Sequence, residues 1–152
     1  MNRLIILIDS STKASSKSSK YGESSAAWAV WWNNIDRVPI RAGSLYLWKE
    51  GPNKIFYDGL IRALEACFYL VHKGDEVTIY GDNQHVIQQL QGGKGVREMQ
   101  PYFNQITKMS SKYPCKISFT YLGESNKAYK KVDELAKQFR NMVKLKYKYL
   151  GA

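Results

Sequence analysis

The stretch "VTIYGDNQHVIQQLQGG", Val77 to Gly93, joins an alternating apolar run to a helix-like pattern, with one carboxylate, Asp82, at the junction. Strand ends in open α/β sheets collect catalytic and binding groups, because side chains there project into a crevice while the backbone stays anchored. Asp is also a common helix N-cap that accepts hydrogen bonds from backbone N–H groups. The junction therefore predicts a functional acid or a cap, and partner carboxylates elsewhere would favour the first.

The order of elements around this stretch predicts the fold class. Strands are predicted at "RLIILID" (3–9), "AAWAVWW" (26–32), "IRAGSLYLW" (40–48), "EVTIYG" (76–81) and "CKISFTYL" (115–122). Helices are predicted at "IFYDGLIRALEACFYLVHK" (55–73), 83–93, 97–113 and "AYKKVDELAKQFRNMVKLKYKYL" (128–150). The order βββαβααβα predicts an α/β domain, a mixed sheet flanked by helices.

Length and composition predict one globular domain spanning residues 1–152, with 44% apolar and 24% charged residues. No apolar run reaches the roughly 20 residues that span a bilayer, and "LIILI" is too short for a secretory segment. We therefore expect an intracellular protein, in the cytoplasm or nucleus, without a membrane partner. Cys67 and Cys115 lack CxxC spacing and are expected to be reduced.

The formal net charge of +10 suits a polyanionic partner. Eight basic residues lie between Lys127 and Lys148, against Asp133 and Glu134. A solvated helix face is the alternative interpretation, although tyrosines interleaved with lysine near the end of the helix also suit stacking on nucleic acid.

Three acids occupy the positions at which elements meet. Asp9 closes the first predicted strand, Asp82 closes the fourth, and Asp133 lies one turn into the final helix. Carboxylates gathered without His or Cys suit hard divalent cations, Mg²⁺ or Mn²⁺, which hydrolyse phosphodiesters by activating water and stabilising the leaving oxygen. The two histidines, His72 and His85, offer no zinc spacing.

Three segments in this order, "LIILIDSS", "TIYGDNQHVIQQLQGG" and "KKVDELAK", resemble the type 1 ribonucleases H, especially those of plant-type retroelements and their archaeal-like relatives. The resemblance covers nearly the whole chain. It implies a ribonuclease H-like fold whose five-stranded mixed sheet has three antiparallel strands and then two parallel ones. It also implies an enzyme in which two Mg²⁺ (or Mn²⁺) ions, held in the substrate complex by Asp9, Asp82 and Asp133, cut the RNA strand of an RNA–DNA hybrid.

The same resemblance implies substrate-binding residues and a partner. Gln84 matches a family position that touches bases in the minor groove, and Asn53 matches one that contacts the hybrid before the first helix. The chain is expected to bind an RNA–DNA hybrid, and it resembles domains that accompany a reverse transcriptase within a longer polyprotein.

The chain departs from the family pattern at its remaining acid. Phe56 stands where the family has a Glu early in the first helix. Asp58 is about 200° further around a helix, and Glu65 is more than two turns away, so neither is a natural substitute. The histidine that many members carry before the last helix is absent from "YLGESNKAYKK", and the glycine-rich loop after the first Asp has become "SSTKASSKSSK", whose lysines could meet phosphates.

The sequence leaves alternative functions open. The first hypothesis is an active, metal-dependent ribonuclease H with three acids. The second is a catalytically degenerate ribonuclease H-fold module that binds nucleic acid or a partner domain without cutting. A third, less favoured, is a basic structural module whose acids are helix caps.

Overall fold

The computed structural model describes residues 2–12, 23–35, 38–48, 50–94, 96–123 and 127–150. Its strands are β1 (Arg3–Thr12), β2 (Glu23–Trp32), β3 (Arg41–Trp48), β4 (Glu76–Gly81) and β5 (Lys116–Tyr121). Its helices are α1 (Pro52–Cys67), α2 (Gln84–Gly92), α3 (Gln100–Lys112) and α4 (Lys127–Leu150), with 3₁₀ turns at Phe68–Leu70 and Arg97–Met99. The lysines predicted to meet phosphates in "SSTKASSKSSK" lie outside the described residues.

The five strands form one mixed sheet in the order β3-β2-β1-β4-β5. β1 pairs antiparallel with β2, and β2 with β3. β4 pairs parallel with β1 and with β5. The predicted fold class, three antiparallel strands followed by two parallel ones, is therefore confirmed, and the carboxyl ends of the central strands β1 and β4 meet at one edge.

Side chains alternate across β1, so the strand contributes to a core on each face of the sheet. Leu4, Ile6 and Ile8 face α1, whereas Ile5 and Leu7 face α4. A strand covered on both faces needs apolar residues at every position, which explains the unbroken run that predicted it.

Helix α4 docks on β1 and β2 through small residues and one polar anchor. Ala27 and Ala29 present little bulk to the helix, and Ala136 of α4 is fully buried against this face. The buried Ser25 hydroxyl donates a hydrogen bond of 3.1 Å to the Ala136 carbonyl oxygen. This contact holds the middle of α4 to β2 and so sets how the first turns of the helix meet the sheet.

Helix α1 begins and ends earlier than predicted. It starts at Pro52 rather than Ile55, because a proline in the first turn lacks only an N–H that would have no intrahelical acceptor. It ends at Cys67, and the predicted continuation becomes the 3₁₀ turn Phe68–Leu70. Cys67 and Cys115 are both free thiols, and burial raises the pKa of Cys67 to about 11. None of the described helices combines the length and apolarity needed to cross a membrane.

Candidate active site

Asp9 and Asp82 are brought together by the parallel pairing of β1 and β4. The register pairs Ile8 with Gly81, so each acid follows one member of that pair. Asp9 continues the α4-facing series of Ile5 and Leu7 and is only 1% exposed. Asp82 is half-buried just beyond the end of β4. The two carboxyl groups therefore stand side by side at the edge where the parallel strands end.

Asn83, not Asp82, caps α2. The Asn83 side-chain oxygen accepts a hydrogen bond of 3.0 Å from the Val86 backbone N–H, and its amide donates to Asn53 Oδ1 at 3.0 Å. The interpretation of Asp82 as the helix cap is therefore wrong. Because the neighbouring amide supplies the cap, the Asp82 carboxyl remains with the acidic edge.

Asp133 reaches this edge from α4. Tyr129, Asp133 and Lys137 are spaced four residues apart and lie on one ridge of the helix. Lys137 Nζ forms an ion pair of 2.7 Å with Asp133 Oδ2. The Asp133 carboxyl lies within hydrogen-bonding range of the Asp9 carboxyl. All three predicted acids thus gather at one place, with a lysine at its rim.

The carboxyl groups of this cluster lie close enough together to change each other's pKa values. Burial, then the adjacent Asp133 carboxyl, then the charge of Asp82, raise the pKa of Asp9 to about 8, against an opposing effect of a hydrogen bond from Tyr129. Burial and the same two acids, Asp9 and Asp82, also raise the pKa of the Tyr129 hydroxyl. The hydroxyl therefore stays protonated and acts as a donor within the acidic cluster.

Sequence reasoning missed Tyr129. Its side chain is 2% exposed, and its hydroxyl donates to Asp9 Oδ1 at 2.6 Å, with the Ile8 carbonyl oxygen at 3.3 Å. A pocket of about 300 Å³ opens beside it, lined by Asp82, Tyr129, Lys130, Asp133 and Lys137. The only signal in the sequence was an aromatic residue one turn before Asp133, on the same face of a basic helix.

The donor set suits a hard divalent cation. The three acids supply oxygen ligands of the kind that Mg²⁺ and Mn²⁺ prefer. Asp9 Oδ2 is buried and finds no hydrogen-bond donor among the described residues, and the Asp133 carboxyl lies close to the same side chain. Within the same residues, no three Asp, Glu, His or Cys side chains have the spacing of a completed metal centre. The oxygen atoms of these residues are therefore of the kind that suits such an ion. In this structure, Tyr129 donates a hydrogen bond to Asp9 and Lys137 forms an ion pair with Asp133.

Phe56, at the position of the family Glu, belongs to the core between α1 and the sheet. It is fully buried, and its ring lies against the backbone of Gly81, where an added Cβ would overlap the ring. Gly81 faces α1, because Phe56 packs on it from that helix, whereas Asp9 faces α4. An apolar ring therefore occupies the position at which the resemblance implies a fourth carboxylate.

Neither of the nearby acids replaces that carboxylate. Asp58 is surrounded by Glu50, Lys54 and Arg62, and burial raises its pKa. Glu65 is exposed further along α1 and lines pockets away from the acidic edge. That neither substitutes for the family Glu stays a prediction.

The two predicted substrate-binding residues lie beside Asp82. Gln84 is the exposed first residue of α2. Asn53 is the second residue of α1, and its side-chain oxygen accepts the hydrogen bond from Asn83 that links the starts of the two helices. Their roles stay predictions, but both are placed at the edge on which the acids gather.

The strand order, the parallel pair at its centre and the acids at its edge define a protein of the ribonuclease H fold. The model of the reverse transcriptase-like family matches residues 11–139. The chain belongs to that family, and the suspected relationship to type 1 ribonucleases H is confirmed. No curated protein sequence matches the chain.

Solved structures share this fold at low sequence identity. LC11-RNase H1 in complex with an RNA/DNA hybrid is 19% identical, with a TM-score of 0.76 over 92% of this chain and 98% of that one. RNase H1 from the halophilic archaeon Halobacterium salinarum is 20% identical, with a TM-score of 0.71 over 90% and 96%. The foamy viral protease-reverse transcriptase in complex with dsDNA is 12% identical, with a TM-score of 0.69 over 90% and 93%.

Proposed function

We propose that this protein is a metal-dependent endoribonuclease that cuts the RNA strand of RNA–DNA hybrids. The observation that carries the proposal is the meeting of Asp9, Asp82 and Asp133 at one sheet edge, with Asp9 Oδ2 buried and without a donor among the described residues. Burying like charges together is costly, and a divalent cation removes that cost. A set of helix caps would not need to bring three carboxylates to one place.

The acids would hold Mg²⁺ or Mn²⁺, with two ions expected in the substrate complex. Such ions activate a water molecule for attack on the phosphodiester and stabilise the leaving oxygen. Asp9 would be the central ligand, because both Asp133 on α4 and Asp82 beyond β4 act on its carboxyl. Lys137, at the rim of the pocket, keeps Asp133 in place through its ion pair.

The hybrid would be bound along the edge that carries the acids. Gln84 is exposed next to Asp82, and it is proposed to meet bases in the minor groove. Asn53 is proposed to contact the hybrid while its side chain is held by Asn83. LC11-RNase H1 was solved with an RNA/DNA hybrid, which supports the choice of substrate. The match to a viral protease-reverse transcriptase supports a reverse transcriptase domain as partner.

One observation favours a second candidate, a module that binds hybrid without cutting it. Phe56 replaces the family Glu with a ring that is fully buried against Gly81. Losing a bridging carboxylate weakens metal binding, so a chain with only three acids could retain binding while losing chemistry. Both candidates predict that the protein binds the hybrid. Only the first predicts that RNA fragments are produced.

A cleavage assay separates them. The full chain is incubated with an end-labelled RNA–DNA hybrid in Mg²⁺, in Mn²⁺ and in EDTA, with double-stranded DNA and double-stranded RNA as matched substrates. We expect RNA fragments from the hybrid alone, in either metal, and none in EDTA. Hybrid binding without fragments in both metals would establish the second candidate instead.

A further inference from the structure

The hydroxyl of Tyr129 points into the acidic cluster, within hydrogen-bonding range of Asp82 as well as Asp9. It lies 2.6 Å from Asp9 Oδ1 and 3.3 Å from the carbonyl oxygen of Ile8. Hydrogen bonds to a carboxylate are shorter and stronger than those to a neutral acceptor, and the shorter distance belongs to Asp9. The Asp9 carboxylate is therefore a better acceptor of this buried hydroxyl than the Ile8 carbonyl.

The second oxygen of Asp9 has the opposite environment. Asp9 Oδ2 is buried and has no hydrogen-bond donor within the part of the chain that the structure describes. A carboxylate with one oxygen fixed by a donor can rotate little, so its other oxygen keeps a constant direction. The two oxygens thus differ in environment: one accepts a hydrogen bond from Tyr129, and the other has no donor among the described residues.

Packing alone does not account for a tyrosine at this position. The ring lies in the apolar cluster between α4 and the sheet, with Val132, Ala136, Leu7 and Ala27. A phenylalanine ring would fill the same space without burying a hydroxyl, which needs a partner in such a place. The hydroxyl is the part of the side chain that packing does not explain.

We propose that Tyr129 is a positioning residue that holds the Asp9 carboxylate with Oδ2 directed to the metal ion. This inference rests on the proposed metal-dependent function. Residues that orient a metal ligand typically change metal affinity by about 10–100-fold when they are removed. Tyr129 does not touch the ion or the substrate in this role; it acts through Asp9.

The test is the substitution Tyr129→Phe, which keeps the ring and removes the hydroxyl. Mn²⁺ binding to the full chain is measured by isothermal titration calorimetry without nucleic acid. We expect the variant to bind Mn²⁺ at least about 10-fold more weakly than the unmodified protein does. In the hybrid cleavage assay, the variant should need a correspondingly higher Mn²⁺ concentration for half-maximal rate and regain most of its rate at saturating Mn²⁺, with KM for the hybrid little changed.

Tyr57→Phe is the matched control. Tyr57 is also fully buried, and its hydroxyl donates to Gln89 Oε1 at 2.7 Å, in the core on the other face of the sheet. The substitution removes one buried hydroxyl away from the acids, so Mn²⁺ affinity should stay within about twofold of the unmodified protein, whatever the change in melting temperature. A general loosening of the fold would weaken Mn²⁺ binding in both variants.

The outcomes separate this inference from the proposed function. If the unmodified protein binds Mn²⁺ and cuts the hybrid, and Tyr129→Phe binds Mn²⁺ equally well, only the positioning role is overturned. Tighter binding by the variant also overturns it, because the hydroxyl would then compete with the ion. If the unmodified protein binds no Mn²⁺, both the metal-dependent function and the positioning role fail. Circular dichroism of each variant establishes that the comparison is made between folded proteins.

Discussion

Phe56 stands where the resemblance to type 1 ribonucleases H implies a Glu, and its side chain is part of the core. The ring is buried in the apolar cluster between α1 and the sheet and covers Gly81. The same side chain that removes a carboxylate therefore stabilises the contact between α1 and β4. Replacing Phe56 by Glu would therefore add a carboxylate and weaken the packing between α1 and β4 at the same time.

Phe56→Glu should lower the stability of the metal-free protein by about 3 kcal/mol or more, since it removes a buried ring and buries a carboxyl group without a partner. If the new carboxylate reaches the ion, Mn²⁺ should raise the melting temperature of the variant more than that of the unmodified protein, by mass action. Thermal unfolding with and without Mn²⁺ measures both effects. Phe56→Leu is the control, and an unchanged metal-free melting temperature for Phe56→Glu would contradict the buried position of the ring.

Asp82→Asn should abolish hybrid cleavage and leave hybrid binding intact or slightly stronger, because it removes a proposed metal ligand and a negative charge near the phosphates. Cleavage and filter-binding assays on the same preparation measure the two effects. Asp58→Asn, the same chemical change at a residue surrounded by Glu50, Lys54 and Arg62, should keep full activity. Undiminished cleavage by Asp82→Asn would place the activity elsewhere.

At residue scale, the sequence predicted which acids gather but not what holds them. Asp9 and Asp82 could be predicted because each follows an apolar run, and the ends of a parallel pair share an edge. The prediction that Asp9 closes its strand was wrong, because β1 continues to Thr12 in its pairing with β2. Asn83 and Asp82 compete for the same cap by residue type, and only the folded backbone distinguishes them. Tyr129 acts on a residue 120 positions away, and no local pattern encodes such a contact.

Among the elements, β4 and α1 are fitted to each other through Gly81 and Phe56. Gly81→Ala should destabilise the protein by about 1–3 kcal/mol, since the added Cβ overlaps the Phe56 ring. Combining it with Phe56→Leu should cost less than the sum of the two single changes, by about 0.5 kcal/mol or more. Urea unfolding measures the cycle. Gly92→Ala in α2 is the control: a Cβ added there meets no heavy atom within 4 Å, so the change should be neutral or stabilising. Strictly additive effects of Gly81→Ala and Phe56→Leu would contradict the contact between the two residues.

The elements themselves were predictable wherever hydrophobic pattern and burial coincide. The strand "EVTIYG" has the bounds predicted for it, because its alternating burial follows its alternating sequence. The start of α1 at Pro52 was not predicted, because glycine and proline usually indicate a turn, although proline is well tolerated in a first helical turn. Its end at Cys67 could not be predicted either, since the apolar residues after it continue in a 3₁₀ turn.

For the whole molecule, the surplus of positive charge predicts salt-dependent binding. Exchange of Lys144, Lys146 and Lys148 of α4 to Gln should reduce the slope of log affinity against log salt for the hybrid, by about 0.7–0.9 for each phosphate that is no longer neutralised. Fluorescence anisotropy over a salt series measures the slope. The matched control exchanges Lys73, Lys108 and Lys112, which changes the net charge equally. Equal slopes for the two variants would assign the effect to net charge rather than to α4.

The docking of α4 has a consequence for how the protein comes into being. Asp9 lies in the first strand, whereas Asp133 and Tyr129 reach it only when α4 closes on β1 and β2, with Ser25 bonded to Ala136 across 111 positions. Contacts so distant in sequence form after the local ones, and a chain under synthesis exposes its residues from the N-terminus onward. A nascent or partly unfolded molecule with α4 detached therefore keeps Asp9 and Asp82 side by side but lacks Asp133 and Tyr129. The full set of three acids is therefore assembled only after α4 has left the ribosome and docked on the sheet.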